Sequence, residues 1–497
     1  MTCYPPERGK NPHYYKLAVG GEDRSFFRDS ILAGTSANDP RTQAQKRLRH
    51  AQTFFRNRFE RQRENRGPEA YLDFLIKLQG RIDRLEVMLY IVRSNAEAVR
   101  MFETVNDRGR PLTNLEKTKS ILMYASYLVV DDPQTRDTQL DELNEHFVKI
   151  YRCLEDIEAG LGLRDADEIQ RYHHIFFIGP HDSHKHMQVL KDLIMRKSRK
   201  NEDKEDCQRF IRNYAVSLRQ AFVTMGDIAK CRGDRSELGE TVDRLFLIGP
   251  VGNLYPLLIA AWQEFREDSQ RKEVLRLFEA FVFRVYRVVR FKSNTAQSWL
   301  YGLANKLHRD NRTFADLLQE LRRMNRYYAD DNVFRREMSG THCYPSLGTR
   351  TIKYLLAQYE TKLGKKAGEK LKVDVAEILS SEYETEHILP QRPVGGLNEE
   401  EVAAHQEIVH RLGNLTIASR EWNQSMGNRP FEGKRDGRGE LDDKCYSNSS
   451  LRVQRNLATY AEWDASSIHD RGEEIIAFAL KRWQIGPSAD PAPETEP

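Results

Sequence analysis

Cysteine is sparse in this chain and its spacing carries no signature. Cys3, Cys153, Cys207, Cys231, Cys343 and Cys445 are scattered over 497 residues, with no C-x-x-C pair. That argues against a zinc ribbon and a disulfide framework, and makes free, buried thiols in a reducing compartment their expected state. No run approaches the ~18 consecutive apolar residues of a membrane span. The opening MTCYPPERGKNPHYYK has no apolar signal-peptide core. A cytoplasmic protein without a membrane partner is expected. Neither sign of charge dominates: 78 Lys and Arg face 74 Asp and Glu, a formal net charge of +4. Global charge therefore does not name a nucleic-acid partner, and only a local basic surface would. There is no G-x-x-x-x-G-K-[ST] phosphate loop and no repeat of fixed period.

What is present is a composition of 39% hydrophobic and 31% charged residues, enough for several domains with their own cores. Apolar residues recur at helical spacing over 81–104, 137–158, 205–231, 241–266, 269–291 and 311–323, a helical-bundle pattern. Asp131-Asp132-Pro133 predicts a turn, and 196–206 a charged loop or helix extension. After Ser339-Gly340 the pattern changes to Gly/Pro turns and short β-branched runs, which places a boundary near 340. Beyond it the sequence predicts a strand into Tyr383–Pro390, a loop through Gly395-Gly396 and a helix over Glu399–His410. A strand at Leu415–Ala418, a polar helix or loop over 419–434 and a helix over 466–483 follow. The tail from Gly486 to Pro497 is too polar to order itself.

Four strings in this last part suit phosphodiester hydrolysis: EYETEHILPQ, HRLGNLTIA, REWNQSMGN and RPFEGKR. Near neutral pH an unprotonated histidine such as His387 can take a proton from water. A hard cation such as Mg²⁺ can stabilise the leaving oxygen, and it takes oxygen ligands. Glu386 and Asn423 can offer such oxygens, and Glu384 shares a strand face with Glu386. Glu386 and His387 are adjacent, so on a flat strand they point to opposite faces, and serving one site requires a twist or bulge. Lys434 and Arg429 are candidate contacts to phosphate oxygens. Taken singly these residues have blander readings. Asn414 is a turn residue, Asn423 a surface amide, and His405 and His410 are packing histidines.

Together they are similar to a known family. E-H-I-L-P-Q, then G-N-L-T, then Asn423 nine residues after Asn414, resemble the HNH (His-Me finger) nuclease pattern. In particular they resemble the C-terminal nuclease domain of the GmrSD family of modification-dependent restriction enzymes. F-x-x-K at Phe431–Lys434, Y-S-x-S at Tyr446–Ser449 and W-x-x-x-x-I-x-x-R at Trp463–Arg471 are similar as well. The resemblance implies that His387 is the general base and that Glu386 and Asn423 are ligands of Mg²⁺ or Mn²⁺. It implies that Asn414 holds the loop positioning His387.

Upstream, MFETVNDRGRPLTNLEKTKS reads bottom-up as a helix–turn–helix connection. Gly109 suits the turn, and Thr113 or Asn114 caps the following helix. The same string is similar to the second half of the ParB-like N-terminal domain of GmrSD proteins, which handles nucleotides. By that resemblance Asn106, Arg108 and Gly109 are candidate nucleotide contacts, although the family's D-G-Q-Q-R string is missing. A further string, FVFRVYRVVRFK, repeats Arg284, Arg287 and Arg290 every three residues. It reads either as a cationic stripe for a nucleic-acid backbone or as a solvated or ion-paired face.

The resulting expectation is a mainly α protein with a C-terminal α+β domain. It comprises a remnant of the GmrSD N-terminal domain over 1–130, a helical bundle over 131–340, a ββα-metal nuclease domain over 341–485 and a disordered tail over 486–497. The expected function is metal-dependent DNA cleavage restricting foreign or modified DNA. The expected partners are DNA, a nucleotide, and either a second copy or an N-terminal subunit. Two alternatives stay open: a non-catalytic DNA- or nucleotide-binding regulator, and a nuclease subunit that needs a separate D-G-Q-Q-R partner.

Overall fold

Short polar residues start the helices where the sequence places them. Thr113 accepts from the backbone of Glu116, whose carboxylate returns to the Thr113 N–H. Asp132 caps the helix that begins at Pro133, as the Asp-Asp-Pro turn predicts. Thr313 and Asn398 form the same reciprocal boxes with Asp316 and Glu401. The structure, a computed structural model, describes residues 19, 23–34, 38–85, 112–198, 204–310, 312–368, 373–393, 396, 398–437 and 444–486.

Two units pack separately, Met1–Ser94 and Asn95–Pro497. In the first, a short helical stretch from Asp23 to Leu32 precedes α1 (Gln43–Glu64) and α2 (Pro68–Asp83). The helix expected over 81–104 overlaps the end of α2, and its remainder lies outside the described residues, as do Asn106, Arg108 and Gly109.

The second unit runs α3 (Asn114–Val129), α4 (Pro133–Leu161), α5 (Ala166–Phe177), α6 (His186–Ser198) and α7 (Lys204–Cys231). Then come α8 (Glu237–Ile248), α9 (Tyr255–Glu264), α10 (Asp268–Phe281), α11 (Gln297–Arg309), α12 (Phe314–Ala329), α13 (Asp331–Ser339) and α14 (Cys343–Lys366). The helix expected over 241–266 is two, split at Gly249-Pro250. Gly249 takes φ +28°, and Pro250 has no N–H to continue the ladder. The helix expected over 269–291 ends at Phe281 and continues as a π-helix over Val282–Val288.

That π-helix overturns the reading of the arginines as a cationic stripe. Arg284 is fully buried and donates to the carbonyls of Trp483 and Ala329 and to the Asp331 carboxylate. Arg287 donates to the carbonyls of Ile248 and Gly249. Arg290 takes φ +67° and pairs with Glu337. The wider π turn and the surrounding helices turn Arg284 and Arg287 inward, where their guanidinium N–H groups satisfy helix-end carbonyls, while Arg290 stays exposed in its ion pair.

The chain then enters its small sheet: α15 (Val375–Leu379), β1 (Tyr383–His387), α16 (Glu399–Val409), β2 (Leu415–Ser419), α17 (Arg420–Met426) and α18 (Phe431–Asp436). The short α19 (Arg452–Arg455) and the long α20 (Ala465–Arg482) close it. One apolar core runs from Leu115 on α3 to Trp483 after α20 and takes in Leu415 and Ile417 of β2. Within it Arg284 hydrogen-bonds Ala329, Asp331 and Trp483, which joins the ends of α12 and α20. A second, smaller cluster of Ile388, Ala418, Met426, Phe431, Tyr446, Leu457, Trp463 and Ile468 underlies the candidate site. Among the described residues no helix is long and apolar enough to cross a membrane.

Candidate active site

β1 and β2 pair antiparallel, with Glu384 opposite Ala418, Glu386 opposite Thr416 and His387 opposite Leu415. Alternation along β1 puts Glu384 and Glu386 on one face and His387 on the other. Helix α14 braces the start of the strand, its Lys353 ammonium donating to the carbonyls of Ser380 and Tyr383.

Asn414 hydrogen-bonds the loop that follows His387. It is fully buried in the turn before β2. Its Oδ1 accepts from the Leu389 N–H at 2.7 Å and the Trp463 indole N–H at 3.0 Å. Its Nδ2 donates to the carbonyls of Leu389 at 3.0 Å and Val409 at 2.8 Å. One side chain thus ties the loop leaving His387 to the end of α16 and to Trp463. The neighbouring Gly413 has a steric reason to be glycine, because an added Cβ would stand 1.7 Å from the Ile468 carbonyl oxygen. Arg471 on α20 closes the turn by donating to the carbonyls of Gly413 and Leu415.

His387 is nearly buried, and both ring nitrogens are engaged. Nδ1 faces the Gln391 amide nitrogen at 3.0 Å, and Nε2 faces His410 Nδ1 at 3.3 Å. Since an amide nitrogen only donates, this arrangement puts the His387 proton on Nε2, pointing at His410. The Tyr344 ring meets His387 edge-on at 4.6 Å and stacks on His410, and the Tyr344 N–H donates to the His410 carbonyl. Burial, with His410 and Lys434 adding positive charge nearby, pushes the His387 pKa down to about 3, so the ring is neutral. His410 is a residue that spacing alone placed among the packing histidines. Its position before the Leu412–Asn414 turn is what brings it against His387.

The opposite face of β1 differs from expectation. The Lys434 ammonium lies 2.5 Å from Glu386 Oε1 and 2.8 Å from the His387 carbonyl oxygen, with both side chains buried. F-x-x-K thereby gains a physical meaning. Phe431 packs on Trp463 in the second core cluster, and Lys434, one helical turn on, is delivered from the same side to Glu386. Lys434 is thus no surface contact for a phosphate. Burial pushes the Glu386 carboxyl up and the Lys434 ammonium down, and each opposes the other's shift. Tyr446 is buried beside Glu386. Asn423 sits on α17, whose N-terminus Ser419 caps, and donates from Nδ2 to Glu384 Oε2 at 2.7 Å. Arg420 meets the other oxygen of Glu384. Arg429 lies half-buried in the turn between α17 and α18.

The structure therefore gathers Glu386 with Lys434, Glu384 with Asn423, and His387 with Gln391, His410 and Tyr344. Among the described residues no group of three or more His, Cys, Asp or Glu is arranged to hold a metal ion. His405 donates from Nε2 to the Pro390 carbonyl, which fixes its ring to that acceptor and leaves it a packing role.

Comparison with curated proteins gives no match. Residues 328–478, from the end of α12 to late α20, match the family described as GmrSD restriction endonucleases, C-terminal domain. That segment contains Glu384, Glu386, His387, Asn414, Asn423 and Lys434, so the part of the chain that carries the candidate site is similar to this family of C-terminal domains.

Proposed function

We propose that the segment from 341 to 485 is an HNH-type DNA endonuclease and that the protein restricts foreign or modified DNA, as in phage defence. The observation that carries this reading is the Asn414 clamp. Four hydrogen bonds fix the loop that begins one residue after His387, within a segment similar to restriction endonucleases. The order strand, connecting helix, strand, helix around His387 supports it too.

In this reading His387 takes the proton of the attacking water. Its ring is unprotonated at neutral pH, and a phosphate anion bound beside it raises its pKa toward a useful range. His410 accepts the Nε2 proton and so leaves Nδ1 as the basic nitrogen, once the exposed Gln391 gives way to water. A divalent cation, Mg²⁺ or Mn²⁺, belongs to the proposal through the oxygen chemistry of the donors. Glu384 and Asn423 carry oxygen atoms of the kind such an ion takes, but as placed Arg420 and the Asn423 Nδ2 engage both Glu384 oxygens and the pair lies on the β1 face opposite His387. Glu386 as placed does not fit, because an ammonium already occupies its Oε1. When bound, the ion would supply positive charge to the leaving oxygen.

The test compares wild type with His387→Ala on modified and unmodified plasmid, with Mg²⁺ or Mn²⁺ added. Cleavage by wild type alone is the expected result. Equal nicking by both proteins would remove His387 from the reaction.

A further inference from the structure

Charge on the first unit is concentrated on α1. Its 22 residues, QAQKRLRHAQTFFRNRFERQRE, hold seven Lys and Arg against two Glu. That excess is larger than the formal +4 of the whole chain. Arg47, Phe54, Arg58 and Arg61 follow one another at steps of seven, four and three residues, which is one face of a helix. Arg56 and Arg63 form a second row seven residues apart. All six side chains are exposed, Phe54 to 52%. Among the described residues none of the five arginines has a carboxylate partner, unlike the paired surface cations of the second unit such as Lys230 with Asp156.

From this geometry we infer that α1 is a docking face for duplex DNA. A solvated helix at neutral balance interleaves acids with bases, whereas α1 leaves its stripe uncompensated and sets an exposed aromatic ring among three guanidinium groups. Arginine forks suit phosphate oxygens, and the ring suits a sugar or a thymine methyl edge. From Arg47 to Arg61 the helix rises about 21 Å, matching about six base pairs of duplex at ~3.4 Å each. The choice of DNA rests on the proposed function, but the face lies in a unit separate from the candidate active site.

The test uses full-length His387→Ala protein in EDTA, so that binding is read without cleavage. Anisotropy of a labelled duplex is followed across a salt series. The variant Arg47→Gln/Arg58→Gln/Arg61→Gln is compared with Lys149→Gln/Arg152→Gln/Arg164→Gln, which removes the same charge from the second unit. Circular dichroism confirms that both fold. The α1 variant should flatten the salt slope by about three phosphate contacts and weaken binding roughly ten-fold or more, while the control changes far less. Phe54→Ala should weaken binding at unchanged slope. Equal effects of the two triple variants would reduce α1 to bulk charge and overturn the inference. So would unchanged DNA binding by the α1 variant alongside lost binding of polyglutamate. Because no step depends on His387, failure of the nuclease reading leaves this outcome readable.

Discussion

Removing the Lys434 ammonium tests whether Glu386 is held by a fixed internal cation. Lys434→Met keeps most of the side chain's apolar volume and deletes the charge. The structure then leaves the Glu386 carboxylate and the His387 carbonyl buried without their 2.5 and 2.8 Å donor. Breaking one half of a buried ion pair costs about 3–5 kcal/mol, whereas replacing both halves by neutral groups is far cheaper. Lys434→Met should thus lose about that much stability at pH 7.5, and Glu386→Gln/Lys434→Met should recover most of it, to within about 1.5 kcal/mol of wild type. The pH dependence has a defined sign. Burial already pushes the Glu386 carboxyl up, and without Lys434 it rises further. A folded-state pKa above the unfolded value means the neutral carboxyl is favoured on folding, so the deficit should shrink as pH falls toward 5 and widen above it. Urea denaturation of wild type, Lys434→Met, Glu386→Gln and the double variant at pH 5 and 7.5 reads this directly. A Lys434→Met variant within about 0.5 kcal/mol of wild type at pH 7.5, or single losses that simply add in the double variant, would refute the buried pair.

Further outcomes follow from the same structure. Asn414→Ala orphans the Leu389 N–H and the Trp463 indole N–H in buried surroundings, at about 1–3 kcal/mol each. A melt showing less than about 1 kcal/mol lost would contradict the clamp. If His387 is the base, His410→Ala should lower kcat about 10- to 100-fold with little change in KM, as loss of an orienting partner does elsewhere. A kcat within about two-fold of wild type removes His410 from that role. His174 is almost fully buried, and burial pushes its pKa down to about 4. The unfolded chain then binds that proton first, so stability is complete above about pH 6.5 and falls through the window from 6.5 to 4, by up to roughly 3 kcal/mol. His174→Phe should flatten denaturation profiles over that window, and an identical slope in both proteins would reject the assignment.

The sequence by itself determined the elements. Helical periodicity and polar caps define the start of α3 and the spans of α4, α7 and α20 to within a few residues, because caps and amphipathic spacing act over one or two turns. The strands at 383 and 415 were legible for the same local reason, because Pro390 and the G-N turn bound them, whereas a loop-holding role for Asn414 was implied only by the family resemblance. Only tertiary packing decided which side chains meet. Arg284, Arg287 and Arg290 look like a surface stripe in the chain. Arg284 and Arg287 are internal struts because a π turn and the ends of neighbouring helices surround them, while Arg290 is an exposed ion pair with Glu337. Lys434 reads as a free cation until Phe431 anchors α18 on Trp463 and delivers the ammonium to Glu386, 48 residues away. His410 meets His387 only because the antiparallel pairing of β1 with β2 folds the intervening helix back. Spacing along a chain fixes periodic structure through short-range hydrogen bonds, whereas the partner of a buried charge is set by whichever distant element excludes water from it.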